Sequence, residues 1–450
     1  MPDMAAPLLL SYYGDDFTGS TDVMEALASH GVETVLFLRI PDDALLQRFA
    51  HCRAIGLAGT SRSETPDWME EHLTPVFQWL KALEATVSHY KVCSTFDSAP
   101  AVGNIGRAIE IGLDVFGQGL APLVVGAPQL KRYTAFGHLF AGYQGDVYRI
   151  DRHPVMSRHP VTPMNEADLT QHLGHQTELP VALADLTMLT DAQIDARAAT
   201  LAGKGILMLD VDGPETQKAA GAQLLRLANH GSRFMAGSSG VEYALLQAWR
   251  SAGLVEGARD FPSPGKADRI AVVSGSVSPT TERQIRQATG SDGFDGVPLD
   301  PLALLGEDGE SVIGCAIREA QTSLAAGRSV ILHTALGPQA DRGGEIDRVA
   351  GSRHRLGQML GRILLHLIET QGLGRAVIAG GDTSSHALGA LKVDALTTLL
   401  PLPETPGSPL CTAHGLHAPT NGLQIALKGG QVGRDGYFAQ IRDGRATSAG

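Results

Sequence analysis

The sequence predicts an α/β protein of two domains, each a mainly parallel sheet flanked by helices. Short apolar runs alternate with longer segments of 3.6-residue periodicity along most of the chain, a pattern typical of parallel strands joined by helices. The stretch 251–269 (SAGLVEGARDFPSPGKADR) interrupts this alternation with glycine, proline and polar residues, which is typical of a linker. The length of 450 residues also exceeds the usual size of a single domain.

The first domain is predicted to span 1–252. Its opening strand is followed by a helix whose apolar stripe contains Val23, Ala26 and Leu27, with Thr18 or Ser20 as the N-cap. The predicted strands are 7–13, 33–38, 53–59, 89–93, 121–127, 181–186, 205–211 and 232–238. The predicted helices are 20–31, about 66–88, 101–115, 190–203, 215–229 and 240–252.

A linker at 253–268 leads to the second domain, 269–450, in which the alternation resumes. Its apolar runs are again short enough for buried parallel strands. The predicted strands are 270–275, 329–334, 376–381 and 423–430, and the predicted helices are 279–289, 352–370 and a short one from Ser384.

Composition restricts the class of partner. The 36 basic and 48 acidic side chains give a net charge of −12, which is unfavourable for binding nucleic acid or an anionic membrane surface. No apolar run approaches the roughly 20 residues that span a bilayer. Four scattered cysteines and the absence of a basic, signal-like N-terminus favour a reducing, cytoplasmic location. The oligomeric state is left open, with a homodimer among the options.

Two adjacent carboxylates, Asp15 and Asp16, follow the first strand in YGDDFTGSTD. Ligands of open α/β sheets collect where strands end and helices begin. An N-cap explains one of these acids but not both. The nucleophile loop of haloacid-dehalogenase phosphatases spaces its acids two positions apart, so that pattern does not fit. A catalytic or substrate-binding role is therefore predicted for the pair, with a purely structural role as the alternative.

Basic and hydroxyl side chains follow other strands of the first domain, and the tetrapeptide RHPV occurs at 152–155 and again at 158–161 in a predicted ordered loop. Such groups suit a polyhydroxylated anion, although surface ion pairs or ordinary turns would look similar. The predicted substrate-binding residues are Thr18, Gly19, Arg62, Lys91, Ser94, Thr95, Asp97, Arg158 and His159.

Three strand ends of the second domain are rich in glycine: SGSVS, GGDTSS and KGGQVG. Backbone amides near glycine approach anions closely, and hydroxyls and a lysine add donors and charge. A phosphate site is predicted, although neither a P-loop nor a Rossmann motif is present and metal-ligand spacings are absent. The predicted residues are Ser274, Gly275, Ser276, Ser278, Gly380, Gly381, Asp382, Thr383, Ser384, Lys428, Gly429, Gly430 and Gly433.

The motifs YGDDFTGSTD, SGSVSPTT, GGDTS and LKGGQVG occur in the order found in the four-carbon acid sugar kinase family, which the chain resembles over nearly its whole length. The resemblance implies an ATP-dependent kinase. Its N-terminal domain would hold the acid sugar and its C-terminal domain the ATP, with the active site in the cleft between them. Many threonate and erythronate kinases of this family read Ser-Thr-Leu-Arg-Gly where this chain reads STFDSAP. The change around Phe96–Asp97 favours a 3-oxo-tetronate or a branched acid such as 3-oxo-isoapionate.

Phosphoryl transfer needs positioning, charge neutralisation and a carboxylate that orients or deprotonates the attacking hydroxyl. We expect Asp15 and Asp16 to bind substrate hydroxyls, and one of them or Asp382 to take the proton. Mg²⁺ is expected to accompany ATP, and domain closure would exclude water. The alternatives are a kinase for simple threonate or erythronate, a non-catalytic sensor of sugar acid or nucleotide, and a phosphatase or aldolase.

Overall fold

A computed structural model describes residues 7–159, 161–188, 190–349 and 351–447, without the side chains of 382–385. The chain divides into two compact units, Met1–Arg259 and Asp260–Gly450. Both are α/β, as predicted. The boundary between the units falls inside the stretch predicted as a linker, and the predicted limits of linker and domains remain predictions.

The first unit alternates strands and helices in the way that the hydrophobic pattern predicts. Its strands are β1 (Leu10–Gly14), β2 (Thr34–Phe37), β3 (Ala54–Ala58), β4 (Val87–Lys91), β5 (Leu120–Val124), β6 (Arg132–Ala135), β7 (His138–Tyr143), β8 (Asp146–Arg149), β9 (Val181–Ala184), β10 (Gly205–Leu209) and β11 (Phe234–Gly237). Its helices are α1 (Phe17–Ser29), α2 (Asp43–Gln47), α3 (Pro66–Ala82), α4 (Ile105–Phe116), α5 (Leu169–Gly174), α6 (Asp191–Ala199), α7 (Pro214–Asn229) and α8 (Gly240–Ser251).

The main sheet of this unit has the order β2-β3-β1-β4-β11-β5-β10-β9, and its neighbouring strands are parallel. β1 is fully buried, because helices cover both faces of such a sheet. Gly14, the last residue of β1, pairs with Ala58 of β3 on one side and with Lys91 of β4 on the other. The segments that follow these three strands therefore emerge side by side at one edge.

A second, antiparallel sheet of order β6-β7-β8 was not predicted. Its strands are only partly buried, so they lack the continuous apolar runs that reveal the main sheet. The RHPV stretch after it forms a loop with short 3₁₀ turns at Ile150–Arg152 and Met156–Arg158. Helix α3 ends at Ala82 and not near 88, since Glu84 adopts a left-handed conformation (φ 56°) and β4 begins at Val87.

The second unit contains strands β12 (Ala271–Ser274), β13 (Phe294–Pro298), β14 (Ser329–His333), β15 (Arg375–Ala379), β16 (Ala395–Leu400), β17 (Leu410–His414) and β18 (Gln424–Lys428). Its helices are α9 (Pro279–Ser291), α10 (Pro301–Leu305), α11 (Gly309–Ala325), α12 (Gly343–Ile346), α13 (Ser352–Gln371), α14 (Gly381–Ala390) and α15 (Tyr437–Asp443). Buried side chains of α9 and α15, including Ile285 and Phe438, pack with the sheet in one core cluster.

Strand order in this unit is β13-β14-β12-β15-β18-β17-β16, parallel as far as β18 and antiparallel beyond it. β12, β15 and β18 are adjacent, so their glycine-rich ends lie together. Helix α14 begins at Gly381, earlier than the predicted Ser384, so the segment GDTSS forms its first turn. Among the helices of the described residues, none combines the length and the apolar composition needed to cross a bilayer.

Candidate active site

The two leading aspartates of the first unit occupy different positions. Asp16 is the N-cap of α1, where a carboxylate oxygen accepts a hydrogen bond from the Gly19 amide at 2.6 Å. Its other oxygen lies 3.0 Å from Arg62 Nη1. The expected caps, Thr18 and Ser20, are wrong, because the helix begins at Phe17 and places both inside its first turn.

Asp15 is buried, with 4% of its surface exposed. Burial is the largest cause that raises the pKa of Asp15 to about 7, and the charge of Asp16 is the second largest. Neither Asp15 Oδ1 nor Thr18 Oγ1 has a hydrogen-bond partner in the part of the chain that the structure describes. Buried polar atoms are rarely left unpaired in native proteins, so these two oxygens are candidate ligand-binding atoms.

Lys91 brings a buried cation to the same edge. Burial opposes its charge, but the carboxylates of Asp22, Asp16 and Asp15 together raise the pKa of Lys91 above its usual value. A Cβ atom on Gly19 would overlap Lys91 Nζ and lie 2.5 Å from Asp16 Oδ1. A side chain at position 19 would therefore displace the Lys91 ammonium or the Asp16 carboxylate from the first turn of α1.

Arg62 joins the two acidic segments. Its Nη2 lies 3.0 and 2.8 Å from the two carboxylate oxygens of Asp97, while Nη1 reaches Asp16. Asp97 also accepts hydrogen bonds from Thr95 Oγ1 at 2.5 Å and Thr162 Oγ1 at 3.1 Å. Although burial opposes ionisation, Arg62 holds the pKa of Asp97 at about 2. Arg62, Thr95 and Asp97 thus bind one another, and their predicted contact with substrate remains a prediction.

His159 from the second RHPV tetrapeptide joins this group through Thr162. The Thr162 amide donates to His159 Nδ1 at 3.1 Å, and burial lowers the pKa of His159. The ring is therefore neutral near pH 7, with its proton on Nε2. Thr162 was not predicted, although it directly follows that tetrapeptide. Arg158 is exposed and Ser94 is half-buried on the turn after β4.

The second unit contains a cavity of about 440 Å³ at the ends of β12, β15 and β18. Adjacent strands place these ends together, since Ala379 pairs with Ser274 on one side and with Lys428 on the other. Six of the predicted phosphate-site residues line this cavity: Gly275, Ser276, Ser278, Gly380, Gly381 and Gly430.

Of the other residues predicted for phosphate, Ser274, Lys428, Gly429 and Gly433 are described and are not among the residues that line the cavity. Ser274 is buried at the end of β12, and Lys428 and Gly429 lie where β18 ends. Gly433 adopts φ 90° in the loop after β18. Asp382, Thr383 and Ser384 belong to α14, but their side chains lie outside the described residues.

Two arginines of the cavity lining, Arg342 and Arg353, were missed by sequence analysis. Each forms a two-point ion pair with an exposed acid, Arg342 with Glu345 and Arg353 with Asp347. Exposed pairs of this kind exchange partners at little free-energy cost. The available signal was the glycine-containing stretch that follows the predicted strand 329–334.

Comparison with known sequences matches each unit to a domain family. Residues 10–245 match the family described as sugar-binding N-terminal domain, and residues 271–438 match that described as nucleotide-binding C-terminal domain. The chain belongs to the four-carbon acid sugar kinase family. The resemblance noted in the sequence is thereby confirmed, and the protein is a sugar-acid kinase.

Relatives of this kinase extend over nearly its whole length. The 3-oxo-isoapionate kinase of Paraburkholderia graminis is 44% identical over 455 residues, covering 99% of this chain and 96% of the relative. The 3-oxo-tetronate kinase of Methylobacterium radiotolerans is 30% identical over 446 residues, covering 97% and 99% of the two chains.

Solved structures share the fold of this kinase at low sequence identity. A Salmonella typhimurium protein superposes with a TM-score of 0.73 at 21% identity, covering 98% of this chain and 100% of the other. A Haemophilus influenzae protein gives a TM-score of 0.69 at 22% identity, covering 96% and 99%.

The composition of the cavity in the second unit fits a polyphosphate. Glycine backbone, serine hydroxyls and two arginines line it, and such groups bind phosphate oxygens. No cluster of three or more His, Cys, Asp or Glu side chains suited to a metal ion occurs within the described ranges of the kinase. The residues present therefore fit the phosphates of a nucleotide.

Proposed function

We propose that the kinase transfers the γ-phosphoryl group of ATP to a hydroxyl group of a small sugar acid, with a 3-oxo or branched acid of the 3-oxo-isoapionate type as its preferred substrate. The observation that supports the acceptor site best is a set of unused polar groups beside β1. Asp15 Oδ1 and Thr18 Oγ1 lack partners among the described residues, and the buried Lys91 adds a positive charge close to Asp15. A polyhydroxylated carboxylate offers the complementary groups.

In this proposal the ammonium of Lys91 pairs with the substrate carboxylate, and Thr18 binds a hydroxyl. Asp15 accepts the proton of the attacking hydroxyl. A base works best when its pKa lies near the working pH, and burial together with Asp16 raises the pKa of Asp15 to about 7. Asp16 and Arg62 then serve to hold the first turn of α1 in place.

The nucleotide is proposed to bind in the cavity of the second unit, where ATP supplies the phosphoryl group. Loop amides and serine hydroxyls would bind phosphate oxygens, and Arg342 and Arg353 would exchange their carboxylate partners for phosphate. Mg²⁺ is proposed to accompany the nucleotide and to be held mainly by phosphates and water. Use of ATP agrees with the predicted cytoplasmic location, which stays part of this proposal.

Substrate preference is proposed from the Asp97 position. Many threonate and erythronate kinases of the family carry an arginine around this point, whereas here Asp97 is ionised and pairs with Arg62. The site therefore has one hydrogen-bond donor fewer for the carboxylate of the sugar acid, and it gains a fixed negative charge at Asp97. The 44% identity to a 3-oxo-isoapionate kinase supports the same substrate class.

The test is ADP release measured by a coupled spectroscopic assay with Mg-ATP and a panel of sugar acids. The panel holds both enantiomers of threonate and erythronate, their 3-oxo forms generated in situ, and 3-oxo-isoapionate. The highest kcat/KM is expected for a 3-oxo or branched acid. Preference for simple threonate or erythronate would refute the substrate assignment, and ADP binding without turnover of any panel member would refute the proposed reaction.

A further inference from the structure

Lys428, the last residue of β18, is completely buried behind the nucleotide cavity. Its Nζ lies 3.0 Å from Thr281 Oγ1, 2.8 Å from the Gly429 carbonyl and 3.4 Å from the Gly430 carbonyl. An ammonium group has three N–H donors, and here each faces a protein acceptor. The side chain does not line the cavity, so no donor is directed at a bound phosphate.

Thr281 of α9 extends this contact to the opposite loop. Its hydroxyl lies 3.0 Å from Ser276 Oγ and 3.1 Å from the Gly430 carbonyl. Both Ser276 and Gly430 line the cavity, and a Cβ on Gly430 would approach Ser276 Oγ to 3.1 Å. The two loops therefore nearly touch, and the pair of Lys428 and Thr281 lies directly behind them.

The main chain of Lys428 reaches the third loop, because its carbonyl accepts a hydrogen bond from the Gly380 amide at 2.8 Å. Gly380 also lines the cavity. One residue thus contacts, directly or through Thr281, each of the three strand ends that form the glycine-rich wall.

We propose that Lys428 is a positioning residue that acts through Thr281: the two together set the spacing between loop 275–278 and loop 429–430, so that both can bind the nucleotide phosphates. This inference rests on the proposed function of the cavity and deepens it. It differs from the sequence-based expectation that Lys428 itself supplies charge to the phosphate, a role left to Arg342 and Arg353.

The energetics support a role beyond packing. Burial lowers the pKa of Lys428 to about 7, so an ammonium at this position is unfavourable for stability. A methionine at this position would remove that penalty, but it would leave Thr281 Oγ1 and the Gly429 and Gly430 carbonyls without the donor they have now.

The test compares K428M and T281V with the matched control T281S, which keeps the hydroxyl. We expect K428M and T281V each to raise the dissociation constant for Mg-ADP and the KM for ATP about tenfold, the change that follows the loss of a hydrogen bond from a charged group. T281S should stay within about twofold of wild type, and the KM for the sugar acid should not change. The double variant should bind Mg-ADP no more weakly than either single variant, because Lys428 and Thr281 act as a unit.

Stability distinguishes positioning from a merely structural role. K428M and T281V should bind nucleotide more weakly at temperatures at which thermal unfolding shows both variants to be fully folded. A lower melting temperature with unchanged KM for ATP would overturn the inference, and so would a T281V variant with normal affinity beside an inactive K428M, since Lys428 would then act on phosphate directly.

Calorimetric binding of Mg-ADP, which needs no sugar acid, separates this inference from the proposed reaction. If the wild-type protein binds Mg-ADP but phosphorylates no sugar acid, the reaction is refuted and the expected weakening by K428M and T281V still supports positioning. If the wild-type protein does not bind Mg-ADP, the inference fails together with the nucleotide site.

Discussion

The substitution Asp15→Asn removes a buried charge while keeping the shape of the side chain. Burial and the neighbouring Asp16 raise the pKa of Asp15 from 3.8 to about 7, and each pKa unit corresponds to about 1.4 kcal/mol. The carboxyl group binds its proton more tightly in the folded than in the unfolded chain. Its contribution to the free energy of unfolding is therefore full below pH 4 and falls as pH rises through 7. Above pH 7 the accumulated loss is about 4 kcal/mol.

We expect D15N to be more stable than wild type at pH 8 by up to about 4 kcal/mol, with the difference closing toward pH 4. Its kcat should fall by about 10² or more, because a proton acceptor is lost. The assay is urea unfolding between pH 4 and pH 8, alongside steady-state kinetics. D16N tests the second cause of that shift: asparagine remains a good N-cap, and loss of the Asp16 charge should lower the pKa of Asp15. Equal stability of D15N and wild type at pH 8 would refute the stability cost of the buried Asp15 carboxylate. An unchanged kcat would refute the role of Asp15 as the base.

Other substitutions test the remaining parts of both sites. Gly19→Ala should raise the KM for the sugar acid while leaving the KM for ATP unchanged, because the new methyl group displaces the ammonium at the end of β4; steady-state kinetics that show no change would contradict this. Asp97→Asn should lower the free energy of unfolding by about 3 kcal/mol, since Arg62 loses its buried partner, and an unaltered urea midpoint would argue against that pair. Arg353→Gln should raise the KM for ATP about tenfold, as expected for the loss of a hydrogen bond from a charged group. Its control is Arg348→Gln, because Arg348 is exposed and is not among the residues that line the cavity; this variant should leave the KM for ATP unchanged. Equal kinetics of the two variants would refute the contact between Arg353 and phosphate.

The hydrophobic pattern of short segments was sufficient to predict those strands, helices and turns that depend on a few neighbouring residues. β1 and α1 could be predicted because a continuous apolar run and a 3.6-residue period are properties of short segments. The glycine-rich strand ends could be located for the same reason, since turn chemistry depends on a few adjacent residues. The partly exposed strands β6 to β8 were missed because their residues resemble those of ordinary loops.

The sequence by itself determined the α/β class and the family, and it predicted the loops in which the chemistry is proposed to lie. Only the tertiary structure decided how the residues divide their roles. Asp15 and Asp16 are neighbours in sequence, yet Asp16 is an N-cap, and Asp15 is buried with no partner for Oδ1 among the described residues. Lys428 stands in a glycine-rich motif like a phosphate ligand, yet its donors face protein acceptors. Burial and hydrogen-bond partners depend on strand order, which joins segments far apart in the chain, and no local pattern contains that information.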